Sequence, residues 1–419
     1  MAKKSDKTEK PTSASNGPKS KKDAIAELRS QAAKTAPKEK PKPEKLPVTQ
    51  PLYLKSDNPD EMPLAEQEAL MNLNADLRLT ASKLGKESAR MFVDLFYQIQ
   101  KMRIGCGGQY RAARRNQEST AFFAHQYGNL SALERQVKMG LDSFVSGYSI
   151  GNWMKSINGI AELTAAGMLA YIDIRQAPTV GHIWRFAGIA GDEQPWFKKK
   201  EAAQIVSEVC GKRGKITDEH VEQLAARVMR KADNFRRTAL RCSKSSRITR
   251  EGLRRAVALR PYCKAFKTFV CGRVGSALLQ RKNDEANIYY PIYAARRALL
   301  EKQNEEGKFH DYALERVETV GEKTKAHKWY ERGLLPPDHI HRRANRVMVK
   351  ILLSHIHTAM YEEYHCKPAP LPYILTKDPA HTHLIKPPNW PGKFEGRTLR
   401  QLFGEQEPSI SKHNKPLDE

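Results

Sequence analysis

The sequence predicts a mainly α-helical protein, and three observations carry that expectation. Apolar residues recur at helical spacing, as Leu77, Leu84 and Met91 do every seven residues. Threonine and aspartate stand just ahead of apolar-periodic runs, where they cap helix starts. Almost no stretch alternates apolar and polar residues in the manner of a half-buried strand.

The elements follow in chain order. Residues 1–60 are Lys, Pro, Ser, Thr and Glu with almost no large apolar residue, and PKEKPKPEKLP (37–47) cannot bury a core. That composition predicts a disordered basic arm. Residues 61–150 read as a helical hairpin with a coiled-coil-like seam, because Leu95 and Met102 continue the stripe from Ser88. Gly105, Gly107 and Gly108 are expected to break the first helix. Ser131-Ala132-Leu133-Glu134 is expected to cap the second as a capping box. The hairpin is the predicted oligomerisation element, and a homo-oligomer is expected.

Residues 151–200 read as a helix-hairpin-helix region and 201–260 as a small basic helical insertion. In the insertion Thr217 and Thr249 are predicted N-caps, with NFRRTALRCSKSSR (234–247) between them. Residues 261–365 form a C-terminal helical region. Its last long helix should start after LPPD (335–338), with Asp338 as N-cap. Residues 366–419 read as an extended tail rich in proline and histidine.

Composition bounds the function. The 419 residues carry a formal net charge of +25, and a charge that large is matched in use by polyphosphates, DNA or RNA. The six cysteines include no C-x-x-C pair, which argues against a zinc ribbon and a secreted disulfide framework and fits reduced thiols in a cytoplasm. No apolar run approaches the roughly 20 residues of a membrane span. The lysine-rich start is not followed by the apolar region of a secretory signal. A cytoplasmic chain with no membrane contact is expected.

SINGIAELTAAGMLAYIDI (156–174) is where phosphate chemistry is most legible. A helix-hairpin-helix needs an apolar helix, a glycine turn that lets the backbone approach a phosphate, and a second helix opening with small residues. The N–H groups and dipole of that second helix point at the anion. Trp153, Met154 and Ile157 supply the first apolar face, Gly159 the turn and Ile160 the buried anchor. Thr164 to Gly167 open the second helix, and Met168, Leu169 and Ile172 complete its core face. The expected phosphate ligands are backbone groups near Gly159, Ala161 and Thr164. Ala161 stands where such hairpins carry a second glycine, and alanine tolerates a positive φ poorly. An ordinary packing turn between two core helices is the competing reading.

GIAELTAAGMLAYIDI (159–174) followed by APTVGHIWRFAGIAG (177–191) resembles the C-terminal domain of bacterial insertion-sequence transposases of the one-ten type. Gly159, Ile160, Thr164, Ala165, Ala166, Leu169 and Ala170 match the first block of that family, and Phe186 to Ile189 match its Ala-Gly-Leu block. The chain is most similar to a stand-alone phage, plasmid and prokaryotic group that also carries LPPDHIHRRANRVMVKILLSHIH (335–357) and HTHLIKPPNW (381–390). The resemblance implies DNA binding and a role in DNA transposition or recombination. Full transposases of this type add a RuvC-like domain with four metal-binding acids, and no strand-and-acid pattern for it is found here. The family's serine nucleophile follows the Ala-Gly-Leu block, where this chain reads GDEQPWFKKK (191–200), without a serine. Ser243, Ser245 and Ser246, among arginines, are the remaining candidates. Whether the chain is an enzyme stays open at this stage, and the catalytic residue is unknown. No cofactor is called for, and a catalytically active form would use Mg2+ or a structured RNA. A structured-RNA-binding guide component and a packing protein that kept the fold without catalysis are the alternatives.

Three basic rows are expected to add phosphate contacts: Arg236 with Arg237, Arg254 with Arg255, and Arg342, Arg346 and Lys350 with Arg343 beside them. Histidines crowd the C-terminal region as His339, His341, His355, His357, His365, His381 and His383. Two residues apart on a helix, imidazoles point about 200° away from each other, so an H-x-H pair cannot chelate locally. Hydrogen-bonded packing is the expected role, and no metal site is assigned.

Overall fold

The computed structural model describes residues 73–191, 195–211, 213–372, 375–376 and 384–404. The basic arm, His381 and His383 lie outside them. The chain is mainly α-helical. Among the described residues there is no strand, only an isolated bridge between Tyr148 and Arg397. No described helix is long and apolar enough to cross a membrane. None of the six cysteines forms a disulfide.

A short helix α1 (Ala75–Ser82), capped by Asn74 Oδ1 accepting from the Leu77 amide at 2.8 Å, precedes the hairpin of α2 (Lys86–Arg115) and α3 (Ala121–Ser146). Two expectations fail here. α2 runs unbroken through Gly105, Gly107 and Gly108, and α3 starts ten residues before Ser131. The glycines are tolerated because of packing. A Cβ on Gly107 would sit 3.1 Å from the Tyr127 ring of α3, so the small residue lets the two helices close up. Ser131 lies mid-helix, and its hydroxyl donates back to the Tyr127 carbonyl at 2.8 Å, four residues earlier.

The next helices, α4 (Ser149–Lys155) and α5 (Glu162–Tyr171), are the two arms of the expected helix-hairpin-helix. Trp153, Met154, Met168 and Leu169 are fully buried, as the apolar pattern requires. α6 (Val180–Phe186) follows a 3-10 turn. Then comes a cluster with its own core: α7 (Lys199–Cys210), α8 (Asp218–Arg227), α9 (Ala232–Ser243) and α10 (Arg250–Val257), packed through Val206, Leu224, Phe235 and Leu253. Thr217 and Thr249 are N-caps, accepting from the His220 and Gly252 amides at 3.3 and 3.0 Å.

The chain then returns to the main core through α11 (Lys264–Thr268), a π-helical turn Phe269–Val274 and α12 (Gly275–Gln280). The π turn sets Phe269 against Gly167 of α5. A Cβ on Gly167 would lie 2.1 Å from Phe269 Cζ, so only glycine fits there. α13 (Tyr289–Glu305), α14 (His310–Val317) and α15 (His327–Tyr330) lead to α16 (Pro337–His365), and α17 (Leu399–Leu402) closes the described chain. α16 begins at Pro337 with Pro336 as its cap residue. Asp338 therefore stands in the first turn instead of at the cap, where it binds Arg342 at 2.6 Å. Proline's fixed φ suits a helix start.

α16 organises the main core. Ala344, Met348, Leu352, Ile356 and Met360 are fully buried along one side. Its histidines are hydrogen-bonded in place. His355 donates from Nε2 to the Ile385 carbonyl at 2.9 Å, leaving Nδ1 to accept from Tyr289 Oη at 2.9 Å. His357 Nε2 donates to the Ala177 carbonyl at 2.9 Å. The segments expected as 61–150, 151–200 and 261–365 all contribute to this one core, because α16, α5 and the hairpin bury their apolar faces against each other. The tail straps back onto it: Trp390 donates to Glu362 at 2.7 Å and Trp153 to the Pro388 carbonyl at 2.9 Å.

Two predictions follow from this packing. Gly167→Ala should destabilise the fold by about 1–3 kcal/mol, as overpacked cores do, and adding Phe269→Leu should recover part of the loss in urea unfolding. Burial holds the His355 and His357 imidazoles down to pKa values of about 4, well below the ordinary 6.5. With the folded pKa below the unfolded one, unfolding takes up protons between those values, so the stability these groups contribute is full above pH 6.5 and is lost as pH falls toward 4. Urea midpoints should drop from pH 7 to 5, while the two ring-proton NMR signals stay flat over that range. Ring signals titrating near 6.5 would contradict the assignment.

Candidate nucleic-acid interface

The expected hairpin is built as a joint. Gly159 has a φ of +90°, so the turn needs glycine there. A Cβ at Gly159 would lie 3.0 Å from Leu278 Cδ2, so the turn faces α12. Asn158 donates to Asp284 at 2.5 Å. Ile160 is buried, and its amide donates to the Ile157 carbonyl at 2.9 Å. Ala161 has a φ of −104°, so the substitution for a second glycine carries no strain. Its amide donates to Thr164 Oγ1 at 2.9 Å, and that hydroxyl donates back to the Ala161 carbonyl at 2.8 Å. Thr164 itself is buried. Glu162 puts a carboxylate in the first turn of α5, where it binds Lys138 at 2.8 Å. The dipole of α5 is thus already met by an anion from this chain.

The basic rows separate. Arg236 binds Asp218 at 2.5 Å and Arg237 binds Asn234 at 2.6 Å. Arg254 and Arg255 both reach Glu251, at 3.8 and 3.0 Å. These four sit on the smaller helical cluster, each with a polar partner. Ser243 belongs to the same cluster: its hydroxyl donates to the Ala239 carbonyl at 2.7 Å and accepts from the Thr249 amide at 3.0 Å. The second bond fastens the turn between α9 and α10.

The row on α16 behaves differently. Arg343, Arg346 and Lys350 line one cavity of about 890 Å³, whereas Arg342 points away toward Asp338. The reason is helix geometry. A step of seven residues returns to within about 20° of the starting face, whereas a step of eight overshoots by about 80°. The true face is therefore 343, 346, 350.

Four more cations join them from other elements: Arg185 of α6, Lys267 of α11, Arg296 of α13, and Lys308 ahead of α14. Seven positive side chains surround the cavity, and none of the described residues lining it is a carboxylate. Aromatic rings seat several of these charges. Lys267 lies over Tyr262 at 4.5 Å, Arg343 over Phe309 at 4.7 Å and Lys350 over Trp184 at 5.1 Å. Such contacts orient a cation over the ring face. Lys350 also donates to the Ala190 carbonyl at 3.3 Å. Arg296 Nε is buried and has no hydrogen-bond acceptor among the described residues. A buried guanidinium donor left unpaired calls for an acceptor, which a water or a bound anion can supply.

His339 reports the field. Arg343 Nε donates to its Nε2 at 3.3 Å, so the ring proton sits on Nδ1 and is donated to Tyr330 Oη at 2.9 Å. Burial, and then the charges of Arg343, Arg346, Arg316 and Arg342, lower its pKa to about 4. The arrangement suits an anion longer than one phosphate. Because Lys267 and Arg343 cover the Tyr262 and Phe309 rings, those faces are occupied and offer no platform for a base.

Sequence reasoning located three of the seven cations. Arg185 lies inside APTVGHIWRFAGIAG (177–191), where its single charge sets no basic pattern. Lys267, Arg296 and Lys308 carry no local signal, since only the packing of separate helices brings them together. Among the described residues no group of three His, Cys, Asp or Glu side chains could hold a metal ion. No family model, no curated protein and no solved structure matches this chain.

Removing one of these charges should be visible at His339. Arg343→Gln should raise the His339 pKa, read from its ring-proton titration, and filling the cavity with inorganic triphosphate in the wild-type chain should raise it too. An unmoved titration in both experiments would show that the arginines do not set this field.

Proposed function

We propose that this chain binds the phosphate backbone of nucleic acid in the seven-cation cavity between α6, α11, α13 and α16. The observation that carries the reading is the cavity's charge: among the described residues seven cations line it, no carboxylate does, and the buried Arg296 Nε has no acceptor. The net charge of +25 supports a polyanion over a small anionic metabolite. Contacts to phosphate position a duplex or a folded RNA without reading its sequence. In this reading Gly159, Ile160, Ala161 and Thr164 hold two core helices together, and the cavity takes the phosphates. The smaller cluster with Arg236, Arg237, Arg254 and Arg255 is a secondary, weaker contact, since each of those charges is partly answered by its own neighbour. The likeness of 159–174 and 177–191 to one-ten-type transposases supports DNA of a mobile element as the target, with a role in transposition or recombination.

The test is the salt dependence of binding. Each phosphate neutralised contributes about −0.9 to the slope of log affinity against log salt on duplex DNA. Arg296→Gln and Lys308→Gln together should lower the magnitude of that slope by about 1–2 and weaken binding uniformly across sequences. Gly159→Ala should affect stability and leave the slope of the folded protein unchanged. Equal slopes for wild type and the Arg296/Lys308 variant would overturn the assignment. A slope retained on structured RNA but absent on duplex DNA would make RNA the partner of the same cavity.

A further inference from the structure

The outer side of α2 is too apolar for a helix that ends at water. Met91 is 72% exposed, Met102 60% and Leu95 39%. Ser88, Gln98, Gly105 and Gln109 are exposed as well. Positions 88, 91, 95, 98, 102, 105 and 109 alternate steps of three and four, which is the a/d spacing of a coiled coil, and none of them is charged. The opposite side, with Ala89, Val93, Phe96 and Tyr110, is already buried in this chain. The uncharged stripe is therefore a second face, additional to the one the fold uses.

Charge along its edge selects the partner. Asp94 and Lys101 flank the stripe on one side, seven residues apart, and neither has an ion pair among the described residues. In a parallel pair of α2 helices each would lie beside the partner's residue five positions on, and for Asp94 that residue is Ile99, buried in its own chain. An antiparallel pair behaves otherwise. With Met91 against the partner's Met102 and Leu95 against the partner's Gln98, Asp94 falls beside the partner's Lys101, and two-fold symmetry repeats the pair. The same register sets Ser88 against the partner's Gly105, two small residues that let the helix ends approach. Every contact is reciprocal, as a two-fold interface requires. We infer that α2 is a homodimer interface, pairing antiparallel with α2 of a second copy in this register. The paired span, 88–105, is about 27 Å long.

The test uses the full chain and light scattering on eluted protein. Wild type should be dimeric. Met91→Glu with Met102→Glu should be monomeric with an unchanged thermal melt. Asp94→Lys and Lys101→Asp each turn two attractions into two repulsions, and each should weaken the dimer about tenfold or more. Combining both substitutions in one chain should restore it, and mixing the two single variants should give heterodimers, because each supplies the charge the other lacks. A monomeric wild type overturns the inference. So does a dimer indifferent to Asp94→Lys, which would mean parallel pairing or another interface. Protection of Met91 and Met102 from chemical oxidation in a monomeric wild type would mean that this chain covers the stripe itself, and overturns the inference equally.

Discussion

Like charges crowded around one cavity repel, and among the described residues no carboxylate lines it. The structure meets that constraint through α16. One side of this helix is buried through Ala344, Met348, Leu352 and Ile356, and that packing fixes the direction in which Arg343, Arg346 and Lys350 point. Aromatic rings and backbone carbonyls then seat the charges: Phe309 under Arg343, Trp184 and the Ala190 carbonyl at Lys350. Both kinds of contact fix the direction of the side chain. The result is a set of donors held in fixed directions around one cavity.

Other features are arranged around that set. The Gly167–Phe269 approach brings the π turn against α5, and Lys267 sits just ahead of that turn. The hairpin at Gly159 anchors α5 against α12. His355 and His357 tie α16 to the Ile385 and Ala177 carbonyls. Each contact is internal, yet each constrains a helix that contributes to, or supports, the cavity wall.

Much of the fold was legible in the sequence. The all-helical class, the threonine caps at 217 and 249 and the buried faces of Trp153 to Ile172 follow from periodicity and capping chemistry, which are local. The errors were local too. Three glycines near residue 107 read as a helix break, because sequence cannot show that Tyr127 packs against one of them. Ser131 read as a cap, although a serine mid-helix can bond back to the preceding turn. The site was only partly legible. One helix face was visible, displaced by one residue from its true spacing, whereas Lys267, Arg296 and Lys308 converge from separate elements and leave no pattern along the chain.

The most direct measurement is to photo-crosslink the full chain to bound duplex DNA and map the attached peptides by mass spectrometry. The account predicts crosslinks in the peptides holding Arg185, Lys267, Arg296 and Lys308, around the cavity. Crosslinks confined to residues 156–164, or to 234–255, would place the nucleic acid on the hairpin or on the smaller helical cluster and contradict it.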